Sequence, residues 1–164
     1  MHENEAAARV SDGGQGDAAT QTDDSTVPEL KRYQEPQFLS RILVVEDDPT
    51  LAMLEAGVLT AHGFTVEIVN SGERAIATLH HSLPDLVVLD IELTGSVQGW
   101  DVLQALRDLA QIPVLLTTSS VSAVRERIRS EGETRLTLDH LPKPYPMQML
   151  LKRVKRMLMV ATQK

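Results

Sequence analysis

The chain has 164 residues, a length that suits one domain with a tail. Its formal net charge of -7 argues against broad nucleic-acid binding, and the absence of cysteine excludes disulfide scaffolds and thiolate metal sites. The sequence shows neither a signal peptide nor an apolar stretch of the roughly 20 residues that span a bilayer. We therefore expect a soluble, cytoplasmic protein with no membrane segment.

The first 38 residues differ in composition from the rest of the chain. They are rich in Gly, Ser, Thr, Asp and Gln and offer almost nothing to bury. Because such a segment cannot offset its ordering entropy, we predict a disordered polar tail over residues 1–38 and one folded domain over residues 39–162. We expect this tail to be a solvated extension, and the alternative is a tail that docks to another protein.

The folded part opens with a strand and a helix. The apolar, β-branched run that begins at Arg41 is typical of a strand buried on both faces. Asp48 and Pro49 then mark a helix start, since Asp is a good N-cap and the missing N–H of Pro costs nothing there. The helix is predicted to place Leu54 and Leu59 near its apolar face.

The same alternation continues to the end of the chain. Breaks at Gly or Pro separate apolar runs of strand length from amphipathic segments of helical length. Alternation of doubly buried strands with helices predicts an α/β fold, a doubly wound parallel sheet with helices on both faces. The remaining predicted elements are, in order, FTVEIV, GERAIATLHH, LVVLD, WDVLQALRDLA, VLLTT, SAVRERIRS, a strand within LTLDHL, and MQMLLKRVKRMLMV.

Polar side chains follow the strands at the points where sites form in such sheets. Glu46 and Asp47 follow the first strand, Asp90 ends the third, Thr118 ends the fourth, and Lys143 follows the fifth. Clustered carboxylates repel one another, and Mg²⁺ relieves that repulsion because it prefers oxygen ligands. A carboxylate can also act as the nucleophile that forms an aspartyl phosphate. The pattern therefore predicts phosphoryl chemistry with Mg²⁺.

Four segments of the chain, in this order, resemble the receiver domain of two-component response regulators: ILVVEDDP, LPDLVVLD, IPVLLTTSS and LPKPYP. The resemblance covers about residues 41–160. It implies a flavodoxin-like sheet of five parallel strands in the order 2-1-3-4-5. It also implies a phospho-acceptor in a phosphorelay, with a histidine kinase or histidine phosphotransfer protein as the donor. Its only enzymatic chemistry would be its own phosphorylation and dephosphorylation.

The resemblance also implies roles for individual residues. Asp90 matches the phosphorylated aspartate, Thr118 the hydroxyl that senses the phosphoryl group, and Lys143 the conserved lysine. The Lys143–Pro144 bond matches a cis peptide of the family. The implied Mg²⁺ ligands are Glu46, Asp47, Asp90 and the backbone carbonyl of Glu92.

Two departures from the family pattern leave the output open. The loop DIELTGSVQG is one residue longer than usual, with Thr94 in place of a Pro. His140 stands where a Tyr or Phe usually serves as the switch residue, and an imidazole there could make the switch sensitive to pH. Both changes leave the predicted phosphorylation site intact.

Other functions remain open alternatives. A Mg²⁺-dependent phosphohydrolase also forms an aspartyl phosphate, although its motif calls for a second Asp where Glu92 stands. A degenerate receiver could act as a binding module. For a phosphorylated receiver we expect output through a homodimer or a downstream protein rather than through an attached domain, nucleic acid or membrane. The expected surface comprises the helix over residues 122–130, the last strand and the final helix, with basic residues Arg125, Arg127, Arg129, Lys152, Arg153, Lys155 and Arg156.

Overall fold

The computed structural model describes residues 39–163, so the tail predicted over residues 1–38 lies outside the described residues. Within residues 39–163, no helix combines the length and the apolar character that crossing a membrane requires. Strands and helices alternate as predicted. Their bounds are β1 (Arg41–Val45), α1 (Pro49–Ala61), β2 (Thr65–Val69), α2 (Gly72–His81), β3 (Leu86–Asp90), α3 (Gly99–Leu109), β4 (Val114–Thr118), α4 (Val121–Glu131), β5 (Leu138–Pro142) and α5 (Met147–Ala161).

The strands form one parallel sheet in the order β2-β1-β3-β4-β5, which confirms the predicted topology. From β1 the chain adds β2 on one side and then adds β3 on the other side, so the strand order switches between β1 and β3. A crevice opens at the carboxyl ends of these two strands. The register brings Asp90 of β3 opposite Thr117 of β4, and Thr118 opposite Pro142 of β5. Polar residues that are far apart in sequence therefore meet at one edge of the sheet.

Each face of the sheet has its own apolar core, because side chains alternate along each strand. Leu43 and Val45 of β1 pack on the face covered by α2, α3 and α4. Ile42 and Val44 pack on the opposite face, which α1 and α5 cover. Every residue of β3 and β4 is buried. The central strands thus hold the crevice on a rigid support.

The start of α1 has the cap that the sequence predicts. Asp48 Oδ1 accepts hydrogen bonds from the backbone amides of Thr50 at 2.9 Å and Leu51 at 3.4 Å, and Pro49 opens the helix. This cap satisfies two amides that the first helical turn would otherwise leave unpaired. It also fixes the course of the chain directly after Glu46 and Asp47.

The buried face of α1 differs from the predicted one. Leu54 is 54% exposed, whereas Glu55 is fully buried. Glu55 lies inward because its carboxylate accepts a hydrogen bond from the hydroxyl of Tyr145. A partner distant in sequence has therefore overridden the apolar pattern of the helix.

Candidate functional site

An acidic cluster lies in the crevice at the carboxyl ends of β1 and β3. Glu46, Asp47 and Asp90 each place a carboxylate oxygen within 4.8 Å of the others. Glu46 and Asp90 are both 2% exposed, and Asp47 is partly exposed. Three hard oxygen donors in one concave site suit Mg²⁺, which binds through one or two carboxylates together with water and phosphate oxygens. The structure thus brings together three of the four metal ligands expected from the sequence.

Lys143 partly neutralises this acidic cluster. Its Nζ atom lies 3.1 Å from Asp90 Oδ2 and 3.2 Å from Glu46 Oε2. Lys143 directly follows β5, which pairs with β4, and its backbone amide donates to the carbonyl of Thr118 at 2.8 Å. This hydrogen bond holds the start of its side chain at the carboxyl end of the sheet, from which the lysine reaches both carboxylates. The peptide bond from Lys143 to Pro144 is cis, as expected. Two buried carboxylates therefore share one ammonium group.

The three carboxylates have different acidities. Burial raises the pKa of Glu46 to about 7, and the nearby Asp90 adds to the rise. Burial also raises the pKa of Asp90, although Lys143 opposes the change. Burial disfavours the charge on Asp47 as well, but several hydrogen bonds together outweigh it and lower the pKa; the first of them comes from the Thr94 amide, at 2.9 Å from Oδ2. Asp47 is thus the carboxylate most firmly ionised at neutral pH.

The hydroxyl of Thr118 makes two hydrogen bonds beside Asp90. It donates to Glu92 Oε1 at 2.7 Å and accepts from the amide of Ser120 at 2.9 Å. The amide of Ser119 donates to the same Glu92 oxygen at 2.9 Å. The sequence predicted a metal-binding role for the backbone carbonyl of Glu92 but no role for its side chain. The structure shows that its carboxylate accepts these two hydrogen bonds, and the role of its backbone carbonyl stays a prediction.

The loop over residues 91–98 folds back against the site. The Gly99 amide donates to the carbonyl of Ile91 at 3.2 Å, and a Cβ atom on Gly99 would lie 2.6 Å from Ile91 Cα. Only glycine fits such a close approach without a shift of the backbone. The closed loop presents the Thr94 amide to Asp47 Oδ2, so the loop takes part in the site.

A second buried polar group, Glu55 with its partner Tyr145, was not predicted from the sequence. The hydroxyl of Tyr145 donates to Glu55, whose other oxygen, Oε2, has no hydrogen-bond partner among residues 39–163. Thr117 Oγ1 is likewise buried without one in this part of the chain. Burial raises the pKa of Glu55, and it raises that of Tyr145 as well. No sequence signal identified Glu55, since it interrupts an apolar helix face.

The basic surface expected for partners is partly neutralised within the domain. Asp139 of β5 is 3% exposed and accepts from Arg153 at 2.9 Å and Arg156 at 2.5 Å. Arg127 pairs with Glu131 at 3.3 Å, and its guanidinium lies 4.4 Å from the ring centroid of Trp100. The surface therefore presents less free positive charge than its sequence indicates.

His140 lies in the middle of β5 and lines a cavity of about 440 Å³ together with Arg125, Arg129 and Arg135. Burial lowers the pKa of His140; Asp139 opposes this change, and nearby arginines add to it. These effects together favour the neutral form of the imidazole. Its role as a switch residue stays a prediction.

A family model supplies an independent comparison. The model of the response regulator receiver domain matches residues 42–155, which is most of the part of the chain that the structure describes. The match spans every element from β1 into α5 and includes the acidic cluster, Thr118 and Lys143.

The chain belongs to the response regulator receiver family.

Curated relatives of this receiver domain are longer proteins. It is 34% identical over 115 residues to the DNA-binding response regulator MtrA of Mycolicibacterium smegmatis, covering 70% of this chain and 49% of that protein. It is 36% identical over 118 residues to the probable transcriptional regulatory protein TcrX of Mycobacterium tuberculosis, covering 71% and 49%. The chain thus spans about half the length of the curated relatives it matches.

Solved receiver structures share the fold. The BeF3-activated N-terminal receiver domain of Klebsiella pneumoniae RstA is 34% identical, with a TM-score of 0.61, covering 72% of this chain and 97% of that one. A response regulator receiver protein from Sinorhizobium medicae is 26% identical, with a TM-score of 0.67, covering 76% and 98%. These likenesses confirm the flavodoxin-like receiver topology expected from the sequence.

Proposed function

We propose that Asp90 is the phospho-acceptor of this receiver and takes its phosphoryl group from the phosphohistidine of a histidine kinase or a histidine phosphotransfer protein. The observation that carries the proposal is the setting of the Asp90 carboxylate. It ends β3 in the crevice, 3.1 Å from an ammonium group and beside two further carboxylates. A carboxylate at such a strand end can act as a nucleophile, and the ammonium group of Lys143 stabilises its negative charge.

The proposed transfer needs no general base, since Asp90 attacks as a carboxylate. An oxygen of Asp90 forms a bond to phosphorus while the N–P bond of phosphohistidine breaks, and the electron pair of that bond stays on the imidazole. Hydrolysis then returns the carboxylate and releases inorganic phosphate. Lys143 and the Thr118 hydroxyl would bind the phosphoryl oxygens by charge-assisted hydrogen bonds, and the position of Lys143 beside Asp90 supports this role.

The donor set also fits a metal ion. Glu46, Asp47 and Asp90 would hold Mg²⁺ together with the backbone carbonyl of Glu92. When bound, Mg²⁺ supplies positive charge that offsets the carboxylates and the phosphoryl oxygens. The buried pair of Glu46 and Asp90, which within residues 39–163 shares the single ammonium group of Lys143, supports this assignment.

Labelling with a small phosphodonor tests the proposal. With acetyl phosphate and Mg²⁺, the wild type should gain one phosphoryl group by intact-mass analysis, and Asp90→Asn should gain none because an amide does not attack. Asp108→Asn, which changes an exposed aspartate on α3, is the matched control and should label like the wild type. Equal labelling of Asp90→Asn would refute the assignment.

We further propose that the output passes through a protein contact on the surface formed by α4, β5 and α5, either in a homodimer or with a downstream protein. His140 and the arginine-lined cavity on this surface support the proposal. Enzymatic activity would be limited to the receiver's own phosphorylation and dephosphorylation, in the cytoplasm. We propose no direct contact of residues 39–163 with nucleic acid or membrane. Light scattering before and after phosphorylation distinguishes the two kinds of output. Dimerisation on phosphorylation would indicate a homodimer, and a receiver that stays monomeric would indicate a downstream protein.

A further inference from the structure

The side chain of Glu92 lies where the proposed function requires a phosphoryl group. Its Oε1 atom accepts from both the Thr118 hydroxyl and the Ser119 amide, at 2.7 and 2.9 Å. The amide of Glu92 itself donates to Asp90 Oδ1 at 2.9 Å. The carboxylate of Glu92 is therefore tethered directly beside the nucleophile and bound by donors that point into the crevice.

The hydroxyl proton of Thr118 is fully engaged by this contact. Thr118 has a single hydroxyl proton, and its oxygen already accepts from the Ser120 amide at 2.9 Å. Its proton cannot serve Glu92 and a phosphoryl oxygen on Asp90 with good geometry at the same time. The Thr118 hydroxyl can therefore donate to Glu92 or to a phosphoryl group on Asp90, but not to both.

The charges in the crevice also indicate that Glu92 and a phosphoryl group on Asp90 compete for this place. Glu92 Oε1 accepts two hydrogen bonds, from the Thr118 hydroxyl and the Ser119 amide, as an ionised carboxylate does. A phosphoryl group on Asp90 would add further negative charge beside this carboxylate. Glu92 is also exposed to solvent, so its side chain can leave the crevice without burying charge elsewhere.

We infer that the Glu92 carboxylate is an internal anion that occupies the phosphoryl-oxygen donors of the unphosphorylated receiver and is displaced when Asp90 is phosphorylated. This inference rests on the proposed function of Asp90. The contact holds Thr118 and Ser119 in place before phosphorylation and slows the reaction, because the donors must be released first. Displaced Glu92 then adds a negative charge to the surface beside α4.

Two substitutions separate the parts of this inference. Glu92→Met removes the acceptor and its charge, whereas Glu92→Gln keeps an acceptor and removes only the charge. Both retain the backbone carbonyl expected to bind Mg²⁺, and labelling rates are compared at a saturating Mg²⁺ concentration that calorimetry establishes for each protein. Glu126→Gln, at an exposed position on α4, is the matched control.

The first measurement uses the unphosphorylated protein and does not depend on the proposed function. In Glu92→Met, the amide proton of Ser119 should shift upfield and exchange faster with solvent, because it loses a charged acceptor. Glu92→Gln should lie between Glu92→Met and the wild type, and Glu126→Gln should match the wild type. An unchanged Ser119 amide in Glu92→Met would overturn the inference.

The second measurement is the initial rate of labelling by acetyl phosphate, in which the donor's P–O bond breaks and acetate leaves with the electron pair. Glu92→Met should label on the order of tenfold faster than the wild type, since the competing anion is gone. Equal rates for the two proteins would refute the inference alone. A wild type that takes no label would refute the proposed function, and the inference would fall with it.

Discussion

The ammonium nitrogen of Lys143 lies 3.1 Å from Asp90 Oδ2, a contact made possible by the parallel register that carries the end of β5 beside β4 and β3. Lys143 also lies 3.2 Å from Glu46. The two carboxylates raise the pKa of Lys143 against the opposing effect of burial, so the side chain stays charged. One cation thus links the proposed nucleophile to a proposed metal ligand.

Loss of this cation should slow phosphorylation. In Lys143→Gln, the phosphoryl oxygens lose a preorganised positive charge, so the rate of labelling by acetyl phosphate should fall by about 10²-fold. Lys152→Gln, at an exposed lysine of α5, should label like the wild type. Equal rates for Lys143→Gln and Lys152→Gln would show that Lys143 contributes nothing to the transfer.

Mg²⁺ binding should depend on Asp47. Asp47 is the carboxylate of the cluster whose pKa is lowered, so it carries its charge at neutral pH. Asp47→Asn should weaken Mg²⁺ binding by at least about tenfold, or about 1.4 kcal/mol, as measured by calorimetry. Glu67→Gln removes an exposed carboxylate of β2 and serves as the control. An affinity unaffected by Asp47→Asn would contradict the proposed ligand set.

Glu55 should make stability depend on pH. Burial raises the pKa of its carboxyl above the ordinary value of 4.5. As the pH rises from 4.5 toward the raised pKa, the unfolded chain loses this proton while the folded protein keeps it. The free energy of unfolding must therefore fall across that window.

Glu55→Gln should remove this part of the pH dependence. Glutamine stays neutral and still offers an oxygen to the Tyr145 hydroxyl, so the variant should be more stable than the wild type at neutral pH and similar to it below pH 4.5. Urea unfolding across the pH range measures the difference. If the variant and the wild type give parallel pH profiles, Glu55 is not the group responsible.

The pair formed by Asp139 and Arg153 should contribute to stability. Asp139 is 3% exposed, so removing its partner leaves a buried carboxylate less well bonded. Arg153→Ala should cost about 1–3 kcal/mol in the free energy of unfolding, as expected for a hydrogen bond to a charged group. Lys155→Ala, at an exposed position on the same helix, should cost much less. Similar losses for both variants would rule out the pair.

The sequence predicted those features that local patterns determine. The apolar runs of β3 and β4 implied strands buried on both faces, and parallel strands bring their carboxyl ends to one edge. Asp90, Thr118 and the acidic pair after β1 could therefore be placed together from the order of the residues alone. The cap at Asp48 was equally local.

The features that the sequence did not reveal depend on contacts between distant segments. Glu55 lies on α1, and only its contact with Tyr145, beyond β5, makes its burial possible. The side chain of Glu92 was overlooked because its donors, Thr118 and Ser119, come from another strand end. The basic surface was predicted without regard to Asp139. The carboxylate of this residue is buried under the two arginines that bind it.

The most direct test of the proposed function is to locate the phosphoryl group on the wild-type chain. Borohydride reduces an acyl phosphate to an alcohol, so an aspartyl phosphate becomes homoserine, which tandem mass spectrometry of peptides can identify. After treatment with acetyl phosphate and Mg²⁺, homoserine should appear at Asp90 and at no other carboxylate. Homoserine at a different aspartate, or phosphoryl-labelled protein with none at Asp90, would contradict the assignment of Asp90 as the phospho-acceptor.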